Sequence, residues 1–341
     1  MKVYIRSTGN ISPQHSLDMD LFFSSGVTTT ENFFKCVEPA YDAFVDSKMI
    51  RRMSRIVRMG VAAAMTCLRN ALTENPGAIL TATAYGCLED TSFFLRRMVE
   101  FEETLLSPTA FIQSTHNTVG AQIALLLKCH HYNNTIVHRA FSFENALTES
   151  RLLLQDGIGP VLVGAIDEIT DDRHAILSRF GLYRKPNHSS GNIAGEGASF
   201  FLMDSQPGGN PLAVWRDLQT LYKPENPESV QPEILNFVKR NGLTMDDIDL
   251  VLTSHTGNAR LDEHDDQLLE TIFHGKPHFP FKSLCGDYPT ASGFALWLAA
   301  VLLKEQKKPS WISGILFPVR HILIHHHSEQ IHHSFILISA V

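Results

Sequence analysis

The chain has 341 residues, of which 44% are hydrophobic and 19% charged. That excludes a disordered or fibrous polymer and allows a sizeable core without disulfide or metal staples. Asp plus Glu outnumber Lys plus Arg by 36 to 29, a net charge of −7, which argues against nucleic acid as a partner, since phosphate contacts need a basic surface.

The first residues (MKVYIR) alternate apolar and polar and predict a strand; no secretory leader is expected there. Residues 51–72 carry Met53, Ile56, Met59, Ala63 and Cys67 near helical spacing. The run GAILTAT (77–83) predicts a buried strand, and TVGAQIALLLKC (118–129) an apolar helix. A strand is expected at 135–137, then a helix over 143–155 closed by Gly157. PVLVGAI (160–166) and ASFFLM (198–203) predict two further buried strands. The breakers QPGGNP (206–211) suggest a boundary, giving halves of 1–206 and 207–341. Beyond it, strands are expected at 213–220 and 250–254, helices at 232–241, 261–273 and 292–306, a turn at 244–249, and a strand-like tail over 331–341. Buried strands separated by helices predict an α/β protein with a mainly parallel sheet covered on both faces. Apolar runs such as 121–127 fall short of the roughly 20 residues that span a bilayer, so no membrane span is expected. Cys36, Cys67, Cys87, Cys129 and Cys285 form no close pair and no zinc-type spacing. Their odd count reads as free thiols in a reducing compartment, hence a cytoplasmic protein.

Five segments, in order, resemble one family. NIAGEGASFFLMD (192–204) is similar to the G-E-G-A strand of β-ketoacyl synthases, and PVLVGAIDEI (160–169) to their D-x-x-L-x-G-G-x-E strand and turn. SPTAFIQSTHNTVGAQIALLL (107–127) resembles the segment before the nucleophile strand. LTSHTGNARLDE (252–263) stands where H-G-T-x-T belongs, and FKSLCGDYPTASGFA (281–295) where K-S-x-x-G-H-x-x-x-A-x-G belongs. The resemblance implies a thiolase-like fold: two similar α/β halves in a five-layer αβαβα arrangement, usually dimeric. It also implies acyl chemistry without a cofactor. A thiolate at a helix N-terminus would hold the acyl chain, and two imidazoles would promote decarboxylation and stabilise the enolate.

Residue by residue, the pattern is incomplete. Counted back from Gly157 by the family's spacing, the nucleophile position falls on Ala140 or its neighbour Phe141; neither carries a thiol. His255 fills the first histidine position, Asp287 replaces the second, and Lys282 with Ser283 keeps the K-S pair. An ionised carboxylate cannot donate to an enolate oxygen. Lys282 is expected to pair with a carboxylate such as Glu168 or Asp262, and Glu196 to hold the fold. HHHSEQIHHSF (325–335) occupies the place of the family's glycine-rich C-terminal turn.

The leading expectation is a degenerate homologue acting as a chain-length-factor-like partner of an active ketosynthase, as a heterodimer or homodimer, with an acyl carrier protein as further partner. Phe111, Phe141 and Phe143 are the candidate plugs of an acyl pocket, and 118–129 with the following strand is expected near the dimer interface. Arg51, Arg52, Arg55 and Arg58 could dock an acidic carrier or simply form a solvated helix face. An alternative keeps an enzyme: a hydrolase-type or acyl-transfer triad of Ser142, His255 and Asp287, which requires Ser142 Oγ within reach of a His255 nitrogen. A thiol such as Cys87 or Cys285 at the head of the nucleophile helix would instead restore a condensing enzyme. On a strand, His325 and His327 would share a face, but for the group His325, His326, His327, His332 and His333 an exposed or subunit-facing edge is expected rather than a metal site.

Overall fold

A computed structural model describes residues 1–26, 32–184 and 191–341. The N-terminal half runs β1 (Val3–Ile11), α1 (Met19–Ser24), α2 (Ser47–Ile50), α3 (Arg55–Asn70), β2 (Ala78–Ala82), α4 (Leu88–Glu100), α5 (Pro108–Gln113), α6 (Thr118–Leu127), β3 (Tyr132–Ile136), α7 (Ser142–Gln155), β4 (Val161–Asp167), α8 (Asp171–Arg179) and β5 (Gly197–Asp204). The C-terminal half runs β6 (Ala213–Tyr222), α9 (Val230–Arg240), β7 (Leu250–Thr253), α10 (Ala259–Glu270), β8 (His278–Pro280), α11 (Lys282–Cys285), α12 (Ser292–Glu305), β9 (His321–Ser328) and β10 (His332–Ser339).

The strand order is β3-β2-β4-β5-β1-β6-β10-β9-β7-β8. Numbered within each half, it reads 3-2-4-5-1 and then the mirror sequence 1-5-4-2-3. The two halves therefore share one topology and meet where β1 pairs antiparallel with β6, Val3 opposite Trp215 and Ile5 opposite Ala213. The sheet is mixed rather than mainly parallel. In each half the second, third and fourth strands run parallel, while the fifth opposes both the fourth and the first.

Side-chain alternation along the strands sorts the core into layers. Leu80, Val163, Phe201 and Met203 from one half, and Leu252, Ile322, Ile324 and Ile336 from the other, share a single cluster with the inward faces of α7 and α12. The opposite face of the first half (Ile79, Leu162, Phe200) packs on α3 and Val119 and Ile123 of α6. The opposite face of the second half (Val251, Leu323, Phe335) packs on α9 and α10. The order is helix, sheet, helix, sheet, helix, as expected. It follows from strands buried on both faces, which need helices on each side. The central α12 is buried along nearly its whole length, which its apolar sequence demands.

Loops from the two halves meet above the strand ends. A Cβ on Gly195 would lie 2.0 Å from the Cys285 carbonyl oxygen, and one on Gly286 2.6 Å from the Gly195 Cα. Only glycine permits this backbone contact. It lets Asp287 N donate to Ile193 O (2.7 Å) and Gly195 N to Asp287 O (3.0 Å).

Candidate functional site

The turn that heads α7 is built from Arg139, Ala140 and Phe141. Arg139 has φ of +49°, a left-handed conformation that costs a side-chain-bearing residue energy. Ser142 closes the turn: its Oγ accepts from His138 N (2.8 Å) and donates to Arg139 O (2.7 Å). Ala140 and Phe141 are buried, and Phe141 packs edge-on against His332 with ring centroids 4.8 Å apart. An open cleft of about 750 Å³ lies here, lined by Ala84, Val137, His138, Phe141, Tyr222 and His332 among others. One turn into α7, Glu144 is fully buried. Its Oε1 accepts from Ser334 Oγ (2.8 Å) and lies 3.5 Å from His326 Nδ1. A carboxylate near a helix N-terminus is favoured by the dipole, and here it ties the head of α7 to β9 and β10.

His255 follows β7. Its Nδ1 lies 3.0 Å from Thr253 Oγ1 and its Nε2 3.0 Å from Asp266 Oδ1. Lys282 does not pair with Glu168 or Asp262. Its Nζ donates to Asp287 Oδ1 (2.8 Å) and to His327 O (2.9 Å). Asp262 instead accepts from the Thr256 and Gly257 amides, and Glu168 from the Glu89 amide. Asp287 also accepts from Asn192 Nδ2 (2.7 Å). Burial alone would raise the Asp287 carboxyl; Lys282 and Asn192 outweigh it and hold the group below the usual carboxylate range. Asp287 is thus a carboxylate acceptor in a partly buried ion pair. Glu196 accepts from both Arg55 guanidinium nitrogens (2.6 Å each), Cys36 N (2.8 Å) and Ile169 N (3.0 Å).

The triad expectation is overturned. Ser142 bonds only its own turn, His255 bonds Thr253 and Asp266, and Asp287 bonds Lys282 and Asn192; no hydrogen bond joins the three. Nor does another thiol stand at the head of α7. Cys87 precedes α4, and Cys285 ends α11 with its Sγ 3.3 Å from Gly286 O. All five cysteines are buried, and burial pushes the Cys36, Cys87 and Cys285 thiols up and that of Cys67 to about 12.

Other expectations also need correcting. Phe143 is a core residue packed on Phe201 (5.6 Å), and Phe111 is an exposed residue against Phe94 (5.5 Å); of the three proposed plugs, Phe141 lines the cleft. The arginine run is split: Arg51 and Arg52 are exposed, Arg55 is spent on Glu196 and Glu38, and Arg58 lies over the Tyr41 ring. His325, His326, His327 and His333 are buried rather than an exposed edge, because β9 and β10 lie inside the second half's sheet. Glu144, Asn192, Asp265 and His264 were missed. The run DEHDD in α10, a histidine among acids, is the one signal the sequence carries for two of them.

Residues 33–184 match the family model for the N-terminal domain of β-ketoacyl synthases. The whole chain superposes on the ishigamide ketosynthase/chain length factor with a TM-score of 0.82 at 15% identity, covering 100% of this chain and 99% of that one. The fold of this chain is that of a ketosynthase. A β-ketoacyl synthase from Burkholderia phymatum gives a TM-score of 0.78 at 13% identity, covering 100% of this chain and 99% of that one. A ketosynthase in complex with its chain length factor from Xenorhabdus doucetiae gives 0.74 at 14%, covering 100% and 98%. At such identities the likeness is one of fold. Comparison with curated proteins finds no match. Among the described residues, no helix of the ketosynthase-like chain is long and apolar enough to cross a membrane.

Proposed function

We propose that this ketosynthase-like chain is a non-condensing partner subunit of the chain-length-factor kind, pairing with an active ketosynthase in fatty acid or polyketide biosynthesis. The observation that carries the reading is the head of α7, where Arg139, Ala140 and Phe141 stand and no thiol does. A hydrocarbon side chain cannot form a thioester, and burial keeps Cys36, Cys67, Cys87 and Cys285 in the thiol form that does not attack. The second-histidine position agrees: Asp287 is locked to Lys282 and cannot donate to an enolate.

The edge of the first half supports a protein partner. β3 ends the strand order, so one row of its backbone groups is free to pair with another chain. On α6, which packs on β3, Leu125 is exposed, an apolar side chain that a partner would cover. The exposed Arg51 and Arg52 suit an acidic acyl carrier protein. Co-expression with the ketosynthase encoded alongside it tests the reading. The two are expected to copurify as a heterodimer, and Leu125→Arg is expected to abolish copurification while leaving the chain folded. Purification of each chain alone, with full condensing activity in the ketosynthase by itself, would overturn it.

A further inference from the structure

Four buried histidines and one aspartate meet on the outer face of the second half's sheet. His325 and His327 project from β9 on the face that carries Leu323, and His333, opposite His327 in the register, projects from β10 beside Phe335. His264 and Asp265 come from α10, which covers that face. His264, His325 and His333 are 3%, 0% and 1% exposed. The His325 and His333 rings stack with centroids 5.5 Å apart, and His264 meets His333 edge-on at 5.2 Å.

The neighbours decide where the protons sit. His333 Nε2 lies 3.2 Å from the Gln330 carbonyl oxygen, which only an N–H can satisfy, so Nδ1 keeps its lone pair. His325 Nε2 and His333 Nδ1 face each other at 3.2 Å, within hydrogen-bond distance. His325 Nδ1 lies 3.2 Å from Asp265 Oδ1, so a metal held between the two facing nitrogens would move the proton they share to the Asp265 side of the ring. Neither ring nitrogen of His264 has a hydrogen-bond partner. One ligand atom from each of the three histidines lies within 4.8 Å of the others.

We propose that His264, His325 and His333 form a three-ligand site for a divalent transition metal, zinc above all, that clamps α10 onto β9 and β10, its fourth position left for a water. A tetrahedral zinc with bonds of about 2.1 Å needs ligands about 3.4 Å apart, which the facing pair already nearly meets and His264 reaches by about an ångström of movement. An imidazole set selects zinc, nickel or copper over magnesium or calcium. Asp265 is the outer carboxylate that orients His325, and its other oxygen lies 3.3 Å from His327 Nε2. The ion would also steady the residues behind His255, because Asp266, next in α10, contacts its ring.

Elemental analysis of the untagged full-length chain, purified from zinc-supplemented medium, tests this. The expectation is about one zinc per chain, and for the cobalt-loaded protein a visible spectrum of tetrahedral coordination. His264→Gln and His333→Gln lose the metal, and Asp265→Asn weakens it about 10- to 100-fold. His326→Gln, on the opposite face of β9, retains it, and a chelator lowers the melting temperature of the wild type but not of His264→Gln. If a ligand variant does not fold, the wild-type cobalt spectrum decides alone. Background zinc with no tetrahedral cobalt spectrum, or equal metal loss in His326→Gln and His264→Gln, overturns the site.

Discussion

β4 and β9 are the fourth strands of their halves and sit between the second and fifth in each, yet what they bury differs. β4 is apolar except for Asp167, whose carboxylate accepts from Thr83 Oγ1 (2.9 Å), Ala84 N (2.9 Å) and Thr290 Oγ1 (2.8 Å). β9 buries His325, His326 and His327, and neither ring nitrogen of His327 has a hydrogen-bond partner. A buried polar atom with partners holds a fold, whereas one without them costs about 1–3 kcal/mol. Topology was duplicated in this molecule, but chemistry was not. On β4 the buried carboxylate of Asp167 is satisfied by the chain's own donors. On β9 and its covering helix α10, His327 and His264 have no hydrogen-bond partner on either ring nitrogen.

The largest effect should come from breaking the satisfied set. Glu196→Ala strands Arg55 and two backbone amides, and should cost about 3–5 kcal/mol in urea unfolding. A loss near the value of a surface pair, under about 1 kcal/mol, would remove the contrast between the halves. Asp167→Asn should cost less, about 1–3 kcal/mol, since the shape is preserved and an amide NH2 replaces only one of the two accepting oxygens. An unchanged unfolding midpoint would mean that its three contacts do not stabilise.

The smallest effect sharpens the comparison through pH. Burial pushes the Glu168 carboxyl up to about 8, while in the unfolded chain it titrates at about 4.3. Between those values the folded state binds more proton than the unfolded one, so stability should fall as pH rises from about 4.3 to about 8. Glu168→Gln should flatten that slope and raise stability at the alkaline end. Melting curves across that range check it, and equal slopes for the two proteins would contradict it.

The sequence made the buried strands and central helices legible, because β2, β4, β5 and α12 are apolar runs whose burial allows little else. The loops carrying Glu196, His255, Lys282 and Asp287 were also recognisable from motif order. The pairings were not. Lys282 finds Asp287 five residues away through the turn at Gly286, a consequence of loop geometry that spacing does not reveal. β9 was hidden because three consecutive histidines read as a surface, although its neighbours bury them. His264 sits in a run of acids, and its partners on β9 and β10 lie about 60 residues away in sequence. The duplication stayed unseen because strand order is preserved by pattern and not by residue identity.

The central claim is that this chain takes no acyl group. The direct test is the intact mass of the chain and its partner ketosynthase after incubation with a fatty acyl thioester of the acyl carrier protein. The account predicts an acyl adduct on the partner alone. An adduct on this chain, whether on Ser142 or on any cysteine, would contradict it.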